Sequence, residues 1–238
     1  MVKNLKIGIS LGLLAILSTL ISQARAELIE VYTWKALPGK EAQMLETFVA
    51  AKAIHEEMGA TVSINQQMTG SAQEVDYVMR WDDSEAWGKS LDNNRNPAMA
   101  AKWQAFLAKA NLDPAGEMIR SSGGANVDSS KKAADFKDSY VYGVYVWEPE
   151  AGQTLAFMQT AMEAEKLHEE MGARVEIYTE NVGTPGRVHY VMMWDSYSDW
   201  AGTTAKMSNS KAWAALAART NNELGTLTSS FRAQTLVP

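Results

Sequence analysis

His55-Glu56-Glu57-Met58-Gly59-Ala60 is followed 113 residues later by the same hexapeptide, His168-Glu169-Glu170-Met171-Gly172-Ala173. At that offset Val62 matches Val175, Ile64 matches Ile177, Gly70 matches Gly183 and Val75 matches Val188. Tyr77-Val78-Met79 then repeats as Tyr190-Val191-Met192, Trp81-Asp82 as Trp194-Asp195, and Trp87 as Trp200. Sixteen of the 33 ungapped positions from 55 to 87 are identical, where about two would coincide by chance. The chain is one unit of about 100 residues written twice, and a surface that one copy cannot bury alone has the other copy to cover it.

Hydrophobic spacing gives the order of elements in each copy. Leu28 to Trp34 is short and β-rich, a strand. Pro38-Gly39 breaks it, and Met44, Phe48, Ala51, His55 and Met58 then recur at gaps of 4, 3, 4 and 3, one face of a helix. Gly59 is the residue expected just past a helix end. Ala60 to Gln67 and Val75 to Trp81 read as strands. Asp82-Asp83-Ser84 reads as an N-cap cluster, and Met99, Trp103, Phe106 and Leu107 as the apolar side of a further helix. Gly116 to Arg120 is a short fourth strand. The second copy follows suit: Val141 to Trp147, a stripe of Phe157, Ala161, Ala164, His168 and Met171 stopped by Gly172, then Ala173 to Glu180, Val188 to Trp194, a helix at Trp213 to Arg219, and Ser229 to Thr235. Residues 27–120 and 139–238 are thus two βαββαβ ferredoxin-like repeats, α+β in class, and the Gly/Ser/Lys/Asp-rich segment 121–138 reads as a linker. Helices cover only one face of such a sheet, so the two sheets are expected to pack on each other as an intrachain barrel.

Residues 1–26 read as a signal peptide. Lys3 and Lys6 precede an apolar stretch from Ile7 to Ile21, and Ala24-Arg25-Ala26 is an A-x-A cleavage site. An uncleaved anchor is the alternative. Absence of cysteine excludes a lipoprotein, disulfides, thiolate catalysis and Cys-ligated metals. Export to the periplasm or medium is expected, with no membrane association after cleavage. Removal of Lys3, Lys6 and Arg25 takes the formal net charge from −6 to −9, which argues against nucleic acid as a partner.

The third strand ending in Trp81-Asp82-Asp83-Ser84-Glu85-Ala86, with Asn96-Pro97 and Trp103-Gln104-Ala105-Phe106 after it, resembles the dimeric α/β-barrel superfamily, and within it antibiotic-biosynthesis-monooxygenase-like and NIPSNAP-like domains. Trp194-Asp195-Ser196 and Asn209-Ser210-Lys211-Ala212-Trp213 carry the likeness in the second copy. The resemblance implies two sheets packed face to face. It also implies a range of activities: some members are cofactor-independent oxygenases or isomerases, some bind haem, and many have no assigned activity. Sites in the superfamily often use a His, a Trp and polar groups between helices and sheet.

His55 and His168 are the candidate catalytic residues. Each lies on the apolar stripe of its helix and should face the sheet. Such a residue is either a pocket acid/base or a structural histidine bonded to a carbonyl. No second ligand shares its face at metal spacing, so no metal is expected, and haem is only what the resemblance leaves open. Tyr32 and Trp34 share a strand face, as do Tyr77, Met79 and Trp81; Tyr145, Trp147, Tyr190, Met192 and Trp194 are their counterparts. This aromatic face is core, or the lining of a pocket for a flat, apolar ligand. Arg80 alternates with it and is replaced by Met193 in the second copy; His189 likewise replaces Asp76. Those two differences predict unequal halves, with Arg80 a candidate anchor for an anionic group. Glu-rich helix ends such as Glu56-Glu57 and Glu169-Glu170 read as solvated faces.

No Gly-rich phosphate loop, nucleophile elbow or HExxH is present. Three readings follow: an exported binding module for a small apolar or aromatic molecule without a cofactor, a cofactor-independent oxygenase or isomerase with a pocket histidine as base, and a structural or partner-binding protein. Monomer and homo-oligomer of the tandem barrel both remain open.

Overall fold

The computed structural model of the chain describes residues 26–70, 74–136, 139–219 and 223–238. The leader reading falls outside the described residues, apart from Ala26. Repeat 1 comprises β1 (Leu28–Ala36), α1 (Glu41–Glu57), β2 (Thr61–Thr69), β3 (Val75–Trp81), α2 (Ser84–Asp92), α3 (Pro97–Ala110) and β4 (Gly116–Asn126). Repeat 2 comprises β5 (Val141–Pro149), α4 (Thr154–Glu170), β6 (Arg174–Val182), β7 (Val188–Trp194), α5 (Tyr197–Asn209), α6 (Lys211–Arg219) and β8 (Gly225–Val237). The expected ferredoxin-like order is present twice. Gly59 and Gly172, at φ of 102° and 105°, end α1 and α4 in the left-handed conformation that glycine alone adopts cheaply. Asp83 caps α2, its carboxylate accepting from the Ala86 N–H at 2.8 Å.

The two sheets are joined at their edges into one closed antiparallel barrel, in the order β1-β3-β2-β8-β5-β7-β6-β4. Both seams run between repeats. β2 pairs with β8 from Ile64↔Val237 to Thr69↔Arg232, and β4 pairs with β6 from Gly123↔Val182 to Asn126↔Tyr178. No strand edge of either sheet is left wholly unpaired, which removes the hazard that an open edge carries. The second seam corrects the linker reading. β4 continues through Asn126, so residues 121–126 belong to the sheet, and a short 3₁₀ turn at Ala133–Phe136 follows. The small residues that read as a linker are what the seam requires: a Cβ on Gly124 would stand 2.5 Å from the Thr179 carbonyl oxygen. Tertiary pairing overrides the weak strand propensity of Ser-Ser-Gly-Gly-Ala.

Closure gives the sheet an inner face and an outer face. All seven residues of β3 are buried, the signature of a strand with packing on both sides. The outer face meets the helices. In repeat 1 Met44, Phe48 and Ala51 of α1 pack on Val62, Ile64, Tyr77, Met79 and Trp81, with Trp34–Phe48 and Phe48–Tyr77 ring centroids 5.6 and 5.5 Å apart. In repeat 2 Ala161 packs with Val175, Ile177, Tyr190, Met192 and Trp194, and Trp147 lies 5.7 Å from Phe157. The inner face surrounds a lumen.

Candidate functional site

The residues nominated from the sequence divide between these two layers. Tyr32, Trp34, Tyr77 and Trp81, with Trp147, Tyr190 and Trp194, belong to the helix–sheet cores. Tyr145 follows the same strand parity with 37% of its surface exposed. None of these eight lines the lumen, and neither does His55 or His168. Only Arg80 and His189 of the set face it. The aromatic face is therefore packing beneath helices, because α1 and α4 already fill the space that a ligand would need.

His55 and His168 occupy equivalent places in those cores. His55 Nδ1 lies 2.8 Å from the Tyr77 hydroxyl, and His168 Nδ1 lies 2.7 Å from the Tyr190 hydroxyl. Trp103 of α3 stands 4.7 Å from the His55 ring, and Trp213 of α6 stands 4.5 Å from the His168 ring. The partner is a tyrosine on the third strand, where a backbone carbonyl was expected. Burial is what holds both imidazoles neutral, pushing each pKa down to about 4.

The lumen encloses a cavity of about 550 Å³. Its wall is apolar: Ile29, Val31, Val78, Val144, Val146, Val191 and Phe231. At the floor Arg80 Nε lies 3.3 Å from Glu27 Oε1, and the guanidinium stacks 4.8 Å above the Phe136 ring. Glu27 Oε2 accepts from the Tyr178 hydroxyl at 3.0 Å and from the Asn126 amide at 3.1 Å. Burial outweighs the nearby guanidinium and lifts the Glu27 pKa to about 7.

Four residues along β3 from Arg80, about 13 Å away, Asp76 marks the other end of the lumen. Its carboxylate accepts from Thr33 Oγ1 at 2.6 Å and from Gln67 Nε2 at 2.8 and 2.9 Å, and burial raises its pKa. Facing it from repeat 2, His189 Nε2 lies 2.8 Å from Glu180 Oε2, while Glu180 Oε1 accepts from the Thr184 N–H at 2.6 Å. These hydrogen bonds hold the Glu180 pKa below the usual range against the opposing effect of burial. Gln67 and Glu180, like Asp76 and His189, are 113 residues apart. The repeat has kept a cross-strand pair at one place and changed its chemistry from amide–carboxylate to carboxylate–imidazole. Arg120 and Arg187 line the same end, and each is paired outward, to Glu74 at 2.9 Å and to Glu148 at 2.5 Å.

Sequence reasoning passed over the lumen set of Val31, Val144, Tyr142, Tyr178 and Glu180. The available signal was parity: Asp76-Val78-Arg80 and His189-Val191-Met193 form the complement of the aromatic face. Among the described residues no three His, Asp or Glu side chains converge as metal ligands.

No protein-family model matches the sequence, and neither does any curated protein. Solved structures do match. A "Putative monooxygenase" from Fusobacterium nucleatum aligns over 89% of this chain and 92% of its own, at 12% identity and a TM-score of 0.58. An anthrone oxidase-like protein aligns over 90% and 93%, at 12% identity and a TM-score of 0.56. A haem-binding protein from Thermus thermophilus aligns over 89% and 91%, at 9% identity and a TM-score of 0.51. The fold is that of the dimeric α/β barrels, as the resemblance implied. At these identities the likeness extends to the fold alone.

Proposed function

We propose that this chain binds a small molecule inside the barrel, between the two sheets, with a largely apolar body against the valine wall and a hydrogen-bonding group at the Asp76/His189 end. The observation that carries this reading is the 550 Å³ lumen, with a mainly aliphatic wall and its charged side chains toward the two ends. That is the make-up of a ligand cavity, apolar with a few placed polar groups. The layer beneath the helices, where the superfamily's sites were expected, holds His–Tyr pairs closed over by tryptophans.

Haem, which the Thermus thermophilus neighbour binds by its description, does not suit these residues. His55 and His168 each engage Nδ1 with a tyrosine and lie against an indole, and the lumen cavity does not reach either ring. His189 engages Nε2 with Glu180, leaving the nitrogen beside its own Cβ, where a flat macrocycle is sterically obstructed. Export after cleavage at Ala26 belongs to the same proposal, and chain mass from the native host tests it: the mature protein should begin at Glu27. A chain starting at Met1 would make the leader an anchor.

Val144→Trp tests the lumen. The indole would project from the middle of β5 into the cavity, filling space rather than displacing packed atoms. Native mass spectrometry of protein purified from its own host should show a small molecule on the wild type and at least about tenfold less on the variant, with the fold retained. Equal occupancy of both would place the ligand elsewhere.

A further inference from the structure

The lumen holds one ionisable group whose surroundings suit it to move a proton. His189 faces the cavity with a quarter of its side chain exposed. Its Nε2 lies 2.8 Å from the Glu180 carboxylate, and Glu180 is itself pinned by the Thr184 N–H. A carboxylate held in that way fixes the tautomer: Nε2 carries the hydrogen, and Nδ1 carries the lone pair. Nδ1 has no hydrogen-bond partner among the described residues. An imidazole that lines a cavity, oriented by a carboxylate on one nitrogen and with its other nitrogen unengaged, is the arrangement of a general base and its orienting group.

Repeat 1 serves as an internal comparison. At the corresponding positions Gln67 donates to Asp76, and Thr33 donates to the same carboxylate. Asp76 is buried and bonded on both oxygens. The same cross-strand place, facing the cavity in both copies, thus carries a carboxylate bonded on both oxygens in repeat 1 and an imidazole bonded on one nitrogen in repeat 2.

Resting on the reading that the lumen binds a small molecule, we propose that His189 is a general base acting on that molecule, with Glu180 as its positioning residue, and that the substrate class is a small conjugated molecule with an activated C–H or O–H. In the step, the substrate's C–H or O–H bond breaks and its electron pair stays on the substrate. The proton goes to His189 Nδ1. The imidazolium so formed keeps its Nε2–H on the Glu180 carboxylate, which offsets the new charge. Return of the proton to a different atom of the same conjugated system completes an isomerisation and requires no oxidant.

The probe is 5-nitrobenzisoxazole, a flat molecule that opens when a base removes its C–H proton; the N–O bond cleaves, giving a nitrile and a phenolate that is read by absorbance. Binding is read separately by calorimetry with 5-nitroindazole, a non-reacting molecule of the same shape. The wild type should open the probe at least about a hundredfold faster than equimolar free imidazole, the lower part of what positioned bases supply. His189→Gln should fall to the imidazole background and still bind 5-nitroindazole. Glu180→Gln should lower kcat while leaving KM within about twofold, a split that mere loss of structure would not give. A His189→Gln variant as fast as wild type overturns the proposal. So does a wild type that binds 5-nitroindazole, loses it in Val144→Trp, and shows no elimination above imidazole; in that case the binding reading stands and the base falls. Absence of both binding and elimination overturns the two together.

Discussion

Arg80→Met should cost about 3–5 kcal/mol of unfolding free energy at pH 8, the usual result of removing one partner from a buried ion pair. Shape is not the issue, since repeat 2 carries Met193 at the corresponding position and buries it to 1% exposure. What remains is Glu27, fully buried, with the Tyr178 hydroxyl and the Asn126 amide as donors and the guanidinium gone. Glu27 already has a folded pKa of about 7 against an ordinary 4.5. A raised carboxyl pKa means that the folded state binds the extra proton. Its stabilising effect is present at low pH and is lost as pH rises through the folded value. Without the guanidinium that value climbs further, so the deficit should be smaller at pH 5 than at pH 8. Adding Glu27→Gln removes the buried charge, and the double variant should recover most of the loss at pH 8. Urea unfolding of the three proteins at both pH values decides it. A single variant equally weakened at both, or a double variant no better than the single, would mean that the ion pair is not what Arg80 contributes.

The same pair shows where the sequence stops being informative. Parity along β3 separated Tyr77, Met79 and Trp81 from Asp76, Val78 and Arg80, but it left the aromatic set open between packed core and pocket lining. The other set, a valine between two charged residues, reads like the solvent side of an ordinary amphipathic strand. It is interior only because β4 and β8 cross to the opposite repeat and close the barrel. That closure depends on backbone approach at Gly124, which in sequence looked like the start of a linker. The histidine stripe was legible in the same limited way. Helical spacing placed His55 and His168 against the sheet, but the tyrosine 22 residues further on emerges as a partner only once the third strand is seen to run beneath the helix end. Periodicity locates a residue on a face; what it faces is set by topology.

The histidine pair should govern the acid limb of stability. Their folded pKa values of about 4 lie below the ordinary 6.5, so between those values the unfolded chain binds protons that the folded chain refuses. Stability falls as pH drops through that window, by up to about 3 kcal/mol for each ring at 1.36 kcal/mol per pKa unit. Glu27 and Glu165, both raised to about 7, act in the opposite direction over part of the same range, so the wild-type curve alone would hide the effect. The informative quantity is the difference from a His55→Gln/His168→Gln variant. Glutamine can still hydrogen-bond the tyrosine hydroxyls and has no charge to gain. At pH 7 the variant should be less stable by about 1–3 kcal/mol per site for imperfect packing. The larger share should come from His168, which is only 4% exposed. By pH 4 the gap should close or reverse, because only the wild type has lost its histidine contribution. Urea midpoints at the two pH values measure this. A gap that stays constant would mean that the rings protonate freely in the fold, which a core closed by Trp103 and Trp213 does not allow, and would reopen a pocket role for both histidines.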